Sequence, residues 1–293
     1  MNKGINCKGK SYARSGAMII EIDDEKSVCS IVRNLTVDWF SIEYMYFQMK
    51  GNGKTNSGCF WTSSAPMLDA IADCLSMKPD SFRERWNHRC SEVGLKVMGY
   101  HCTRHRNRDF FLQRGILPLS DDIISAFFLE INTVLPLPSL TSTAIMEMTR
   151  SVVRDDKWKH RLNNPGPYFL MSYKEAKISY NDYHQNGPEI WWLFIDHFLK
   201  YCSENEIRMP FSDRAALRDI ISKALTPFII HCRIPYSMIP AKDWCTFNIL
   251  RALFTFIDHE YDPDDDPKEI SNKAIDLNGQ TLEPKYFNRI EAL

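Results

Sequence analysis

Three stretches of the 293-residue chain carry residue types that could act together. Tyr100-His101-Cys102-Thr103-Arg104 offers an imidazole, a hydroxyl and a guanidinium, and Gly115-Ile116-Leu117-Pro118 follows eleven residues after Arg104. Gly166-Pro167-Tyr168-Phe169, with Ala176 and Tyr180 downstream, offers aromatic faces of the kind that hold a flat ring. Glu269 offers a carboxylate near the C-terminal end. Breaking a glycosidic bond between a ribose and an aromatic leaving group builds positive charge on the sugar carbon. A site for that chemistry needs aromatic faces for the leaving group, backbone or hydroxyl groups that orient it, and a carboxylate that stabilises the oxocarbenium-like state. The sequence holds one candidate for each requirement.

Those residues need elements to position them. Leu95 to Cys102 alternates too little for a half-exposed strand, which predicts a strand central in a sheet. Arg108 to Arg114 reads as a short helix ended by Gly115, a residue that takes the left-handed position without a Cβ penalty. Tyr168 to Leu170 predicts a short strand, Lys174 to Asp182 a helix, Phe228 to Pro235 a further strand and Trp244 to Ile257 a helix. Asn278-Gly279 signals a final hairpin. Residues 120–162 read as an inserted helical element broken at Pro136-Leu137-Pro138, and Ile190 to Tyr201 as an apolar helix whose Trp191, Trp192, Phe194, Ile195 and Phe198 belong to a core or a partner groove. Ahead of these, residues 1–16 form a polar arm. Met18 to Ile22 and Val37 to Ile42 look like strands, and Ala65 to Trp86 is helical with a second short helix opening at Pro79-Asp80-Ser81. The expected class is α+β: an N-terminal region of unknown role over 1–92, then a domain over 93–293 interrupted by the helical insertion.

His101-Cys102-Thr103-Arg104, a short helix and Gly115 resemble the His-Gly-Ser/Thr-Arg block of the poly-ADP-ribose polymerases and diphtheria-type ADP-ribosyltransferases. Gly166-Pro167-Tyr168-Phe169, Ala176 and Tyr180 are similar to the Gly-x-Tyr-Phe and Ala-x-x-Tyr block of the same superfamily. The match covers residues 95–118, 165–184 and, more faintly, 228–293. It departs from the family pattern at Cys102, where the family has glycine, and at Tyr180, which lies one residue further along. The resemblance implies a split antiparallel sheet, NAD as substrate and the catalytic trio His101, Tyr168 and Glu269. It further implies that His101 hydrogen-bonds the adenosine ribose, that the Cys102 backbone holds the nicotinamide amide, and that Tyr168 and Tyr180 stack on the nicotinamide ring. Thr103, Arg104 and Phe169 complete the cofactor-binding set. Glu269 orients the nicotinamide ribose, with Glu260 and Glu189 as competitors for that role.

Composition narrows the remaining classes. Lys+Arg 36 against Asp+Glu 37 gives a net charge of −1, so attraction for nucleic acid or an anionic membrane has to come from local patches. Two such patches exist, Arg104 to Arg108 and Arg150 to Arg161, and either could grip the NAD pyrophosphate or a nucleic-acid backbone. Nine cysteines without framework spacing fit reduced thiols and a cytoplasmic protein with no membrane partner. His88, Cys90, His101, Cys102 and His105 fall close together, yet no Cys-x-x-Cys pair supports a zinc site and no metal is expected. Phosphate-loop, dinucleotide-fold and serine-hydrolase motifs are absent. The expectation is transfer of ADP-ribose to a protein, RNA or DNA acceptor by a bacterial or phage toxin or defence effector, with an antitoxin or inhibitor protein as a possible partner. NAD hydrolysis on the same site and a non-catalytic interaction protein are the alternatives.

Overall fold

The computed structural model describes residues 18–51, 64–134, 142–154, 165–178, 189–207, 214–261 and 274–293. Its centre is a six-stranded sheet of β1 (Ile19–Ile20), β2 (Lys96–His105), β3 (Tyr168–Leu170), β4 (Thr226–Pro235), β5 (Ala274–Asp276) and β6 (Phe287–Ala292). The order is β5-β3-β2-β4-β6, antiparallel throughout, with β1 added parallel to the start of β2 through Ile19↔Lys96 and Ile20↔Val97. The apolar run at the head of β2 is explained by this place: β2 and β4 pair over ten residues, from Lys96↔Pro235 to His105↔Thr226.

The two-residue period of β2 divides its side chains between two layers. Val97 joins the main core with Ile230, Ile234, Phe247, Leu250 and Phe254, while Met98 and Tyr100 pack on the other face with Leu170, Ala176 and Ile229. Gly99 lies between Ile234 and Phe169, and a Cβ there would meet Ile234 Cδ1 at 2.6 Å. The main core is lined by α1 (Glu25–Thr36), α2 (Ile42–Gly51), α3 (Ser64–Cys74) and α4 (Pro79–Glu92), which contribute Val28, Val32, Met45, Met67, Ile71, Phe82 and Trp86. One core thus joins the described residues of 18–92 to the sheet, across the boundary expected at residue 92.

The remaining helices are α5 (Asp109–Arg114), α6 (Asp121–Val134), α7 (Ser142–Arg154), α8 (Tyr173–Ile178), α9 (Glu189–Glu204), α10 (Arg214–Ala224) and α11 (Lys242–Tyr261). A second core of Ile124, Phe128, Ile131, Met148, Ile195, Phe198, Leu217 and Ile221 joins α6, α7, α9 and α10. The helical layer therefore draws on two stretches of chain rather than on 120–162 alone. Among the described residues no helix is long and apolar enough to cross a membrane.

Two local expectations change. Val37 to Ile42 is not a strand: Val37 closes α1, and the Ser41 hydroxyl accepts the Tyr44 N–H at 3.3 Å, capping α2. Asn278 and Gly279 do turn the chain, at φ 47° and 83°, but no hairpin follows. The Gly279 N–H bonds the Gly166 carbonyl at 2.7 Å, Leu282 bridges to Ile116, and β6 joins β4 at the far edge from β5. Gly115, at φ 78°, sits against this crossing, where any Cβ would collide with the Leu282 carbonyl oxygen. Gly115→Ala is expected to lower stability by about 3 kcal/mol in urea unfolding, from left-handed strain and displaced backbone together.

Candidate functional site

Beyond Tyr100, β2 keeps β4 on one side and loses its partner on the other. β3 pairs with β2 only at Tyr100↔Leu170, although it pairs with β5 along all three of its residues. Among the described residues no strand pairs with residues 101–105 on that side, so the sheet forks between β2 and β3.

His101 spans the fork. Its Nδ1 lies 2.9 Å from the Tyr168 carbonyl oxygen, which can only accept, so Nδ1 carries the proton and Nε2 is left as an acceptor. The ring rests 5.6 Å from the Phe169 ring. Thr103 shares this face by alternation, two residues further along β2. Cys102 points to the opposite face with its thiol toward the Ala176 carbonyl, and burial pushes that thiol up to about 12, which removes it as a nucleophile at neutral pH.

The two motif blocks therefore meet, but through the Tyr168 backbone. Phe169 leaves β3 on the His101 face and is only 1% exposed, so it supports the imidazole from the core and cannot reach a ligand. Tyr168, its neighbour, leaves on the other face, 36% exposed, with its ring close to Gly166. Imidazole and phenol do not share one wall of a pocket as expected. Tyr180 and Glu269 lie outside the described residues, as does Glu189 beyond its backbone, and Glu260 is exposed on α11.

Arg104 is also placed differently from expectation. It is 8% exposed, and its Nη1 donates to the carbonyls of Ser222 at 2.5 Å and Leu225 at 3.0 Å. The guanidinium satisfies carbonyls left over at the C-terminal end of α10 and complements the helix dipole. It clamps the helical layer to β2 and is not poised over a phosphate. His105 does the same for α6: its Nδ1 accepts the Asn107 N–H at 3.1 Å, its Nε2 meets Glu130 at 3.1 Å, and its ring stacks on Phe110 at 4.4 Å. Arg106 donates to Thr133 on α6. The first basic run is thus largely engaged in the fold, and of the second, residues 155–161 lie outside the described residues.

A polar cluster that sequence reasoning missed occupies the other face of the sheet. Glu291 on β6 accepts the Tyr173 hydroxyl at 2.8 Å, lies 3.0 Å from His231 Nε2 on β4, and pairs with Arg289 at 3.3 Å and Lys177 at 3.5 Å. Tyr100 donates to Glu21 at 2.5 Å, and its ring meets those of Tyr173 and His231. Asp23 accepts from Ser172 Oγ and from the Tyr173 and Lys174 N–H groups, which fixes the start of α8. Burial opposes ionisation of Glu291, but hydrogen bonds from Tyr173 and His231 and the charges of Lys177 and Arg289 hold it below the usual carboxylate range. The sequence signal for this cluster was one histidine, His231, within the apolar run of β4.

Among the described residues no group of three or more His, Cys, Asp or Glu side chains could hold a metal ion. His101 and His105 lie on one face of β2 and Cys102 on the other, with His88 on α4 paired to Glu92. No protein-family model, curated protein or solved structure matches the chain.

Two outcomes follow from these environments. Arg104→Ala is expected to cost about 3 kcal/mol of stability, because two buried carbonyls lose a charged donor; a phosphate-gripping arginine would instead leave urea unfolding unchanged. Burial pushes the imidazoles of His101, His105 and His231 down from their ordinary 6.5. The unfolded chain then binds more protons than the folded one below that pH, so stability is full above 6.5 and falls as the pH drops toward the folded values. Urea titrations between pH 7.5 and 5 should show this decline, and His231→Asn should make it shallower.

Proposed function

We propose that the chain transfers ADP-ribose from NAD to a macromolecular acceptor, with the nicotinamide end seated in the fork between β2 and β3. The fork is the observation that carries the reading. An unpaired strand edge offers backbone N–H and C=O groups, and a planar carboxamide can pair with them as a missing strand would. At this edge the Cys102 backbone takes the role implied for the family glycine, and a donor or acceptor on the peptide needs no particular side chain.

His101 supplies an acceptor at Nε2, oriented by the Tyr168 carbonyl, for a ribose hydroxyl, and Thr103 adds a hydroxyl on the same face. Tyr168 contributes that carbonyl, while its exposed ring leaves β3 on the opposite face. Glu269 precedes Ala274, the first residue of β5, by five positions, and β5 is paired to β3. In this reading Glu269 is the carboxylate that stabilises positive charge on the anomeric carbon of the ribose. In the reaction the bond from that carbon to the pyridinium nitrogen breaks, nicotinamide leaves with the electron pair, and the acceptor's nucleophilic atom bonds to the carbon and gives up its proton.

Incubation of the protein with NAD labelled in its adenylate and with cell lysate tests the reading. The expected result is a labelled macromolecule together with stoichiometric free nicotinamide, both reduced at least 100-fold by His101→Ala and by Glu269→Gln, an effect of the size expected for lost transition-state contacts. Separate protease and nuclease digestion of the product identifies the acceptor class. Loss of NAD without label would replace transfer by hydrolysis, and no NAD consumption at all would overturn the proposal.

A further inference from the structure

β6 is an edge strand. Among the described residues nothing pairs with its outer side, while its inner side is paired to β4 from Phe228↔Ala292 to His231↔Arg289 and, past a bulge at Asn288, at Cys232↔Phe287. Exposed edges invite pairing, and charged residues on them normally discourage it. On β6 the charges are Arg289 and Glu291, opposite in sign and two residues apart, so both project from the same face. Their side chains are 57% and 23% exposed.

We propose that this edge is a dimerisation surface for a second copy of the same chain, joined as an antiparallel pair of β6 strands with the two-fold axis at Ile290. In that register Arg289 lies opposite Glu291 of the second copy, and Glu291 opposite its Arg289. Ile290 meets Ile290, and the bulge at Asn288 limits the regular pairing to the residues around this axis. Opposite charges directly across an antiparallel pair are favourable, and like charges are not. The neighbouring symmetric registers, centred on Arg289 or on Glu291, set two arginines or two glutamates against each other. The pattern that repels an arbitrary strand thus accepts an antiparallel copy of itself in one register.

A separate observation supports the same partner. His231 Nε2 lies 3.0 Å from Glu291 Oε2, an acceptor, and 3.2 Å from Arg289 Nε, a donor. One imidazole nitrogen donates or accepts and cannot do both, so one of these contacts is unsatisfied within a single chain. Turning Arg289 outward to Glu291 of a second copy removes the conflict and frees Nε2–H to donate to its own Glu291. Lys177 and Tyr173 stay on Glu291 in either arrangement, so its charge remains compensated.

Light scattering on the purified full chain tests this. A short strand pair makes a small interface, so concentrations up to about 100 μM are appropriate. The expected mass at the upper end is twice the 34.2 kDa of one chain. Arg289→Glu should return the mass to one chain with an unchanged circular dichroism spectrum. Ile290→Cys, on the axis, should form a disulfide with itself under mild oxidation, identified by peptide mapping, and the added Arg289→Glu should abolish it. A single-chain mass at every concentration without the 290–290 disulfide overturns the proposal. So does a dimer that survives Arg289→Glu and forms no such disulfide, since it would use another surface.

Discussion

The ten-residue antiparallel pairing of β2 with β4 is the constraint on which the rest of the structure depends. It fixes which side chains of β2 enter the main core and which enter the smaller layer under α8. It also continues to His105↔Thr226, past the point where β3 leaves β2. A strand secured on one side keeps its course where, among the described residues, nothing pairs with the other, and the proposed nicotinamide site depends on that edge. Without β4, an unpaired stretch at this depth would leave backbone polar groups with neither water nor protein partners.

The C-terminal end of β2 serves a second purpose. Arg104, His105 and Arg106 reach successively to α10, α6 and α6, so three consecutive residues join the sheet to a helical layer that has its own core. The basic character of this run comes from helix ends that need donors and from a carboxylate on α6, not from a phosphate. Thr103 lies one residue before this joint and His101 three, which ties the geometry of the fork to the placement of the helices.

Much of the framework was legible because it follows from local rules. The apolar runs at β2 and β4, the glycine stop after α5 and the helices α3, α4, α9 and α11 all stand close to where periodicity and capping put them. The motif blocks were expected to share one site, and they meet only through the Tyr168 carbonyl. What was not legible depends on pairing across distance. Asn278-Gly279 encodes a turn, but whether the next strand folds back or crosses to the other edge is decided by Gly166 and Ile116, over a hundred residues away in the chain. The opposite facing of His101 and Tyr168 depends on the register Tyr100↔Leu170, and a shift of one residue would have reversed it. The Tyr173, His231 and Glu291 cluster draws on three separate elements and has no linear signature.

Asp23 and β1 carry a consequence for how the chain can be divided. The N-terminal stretch adds a strand to β2, caps α8 through Asp23, and lends Glu21 to Tyr100. Loss of this stretch would leave the start of β2 without its parallel partner, and a phenol and a helix start without theirs. The N-terminal stretch and the sheet therefore fold as one unit, and a chain cut between them would not keep either half intact.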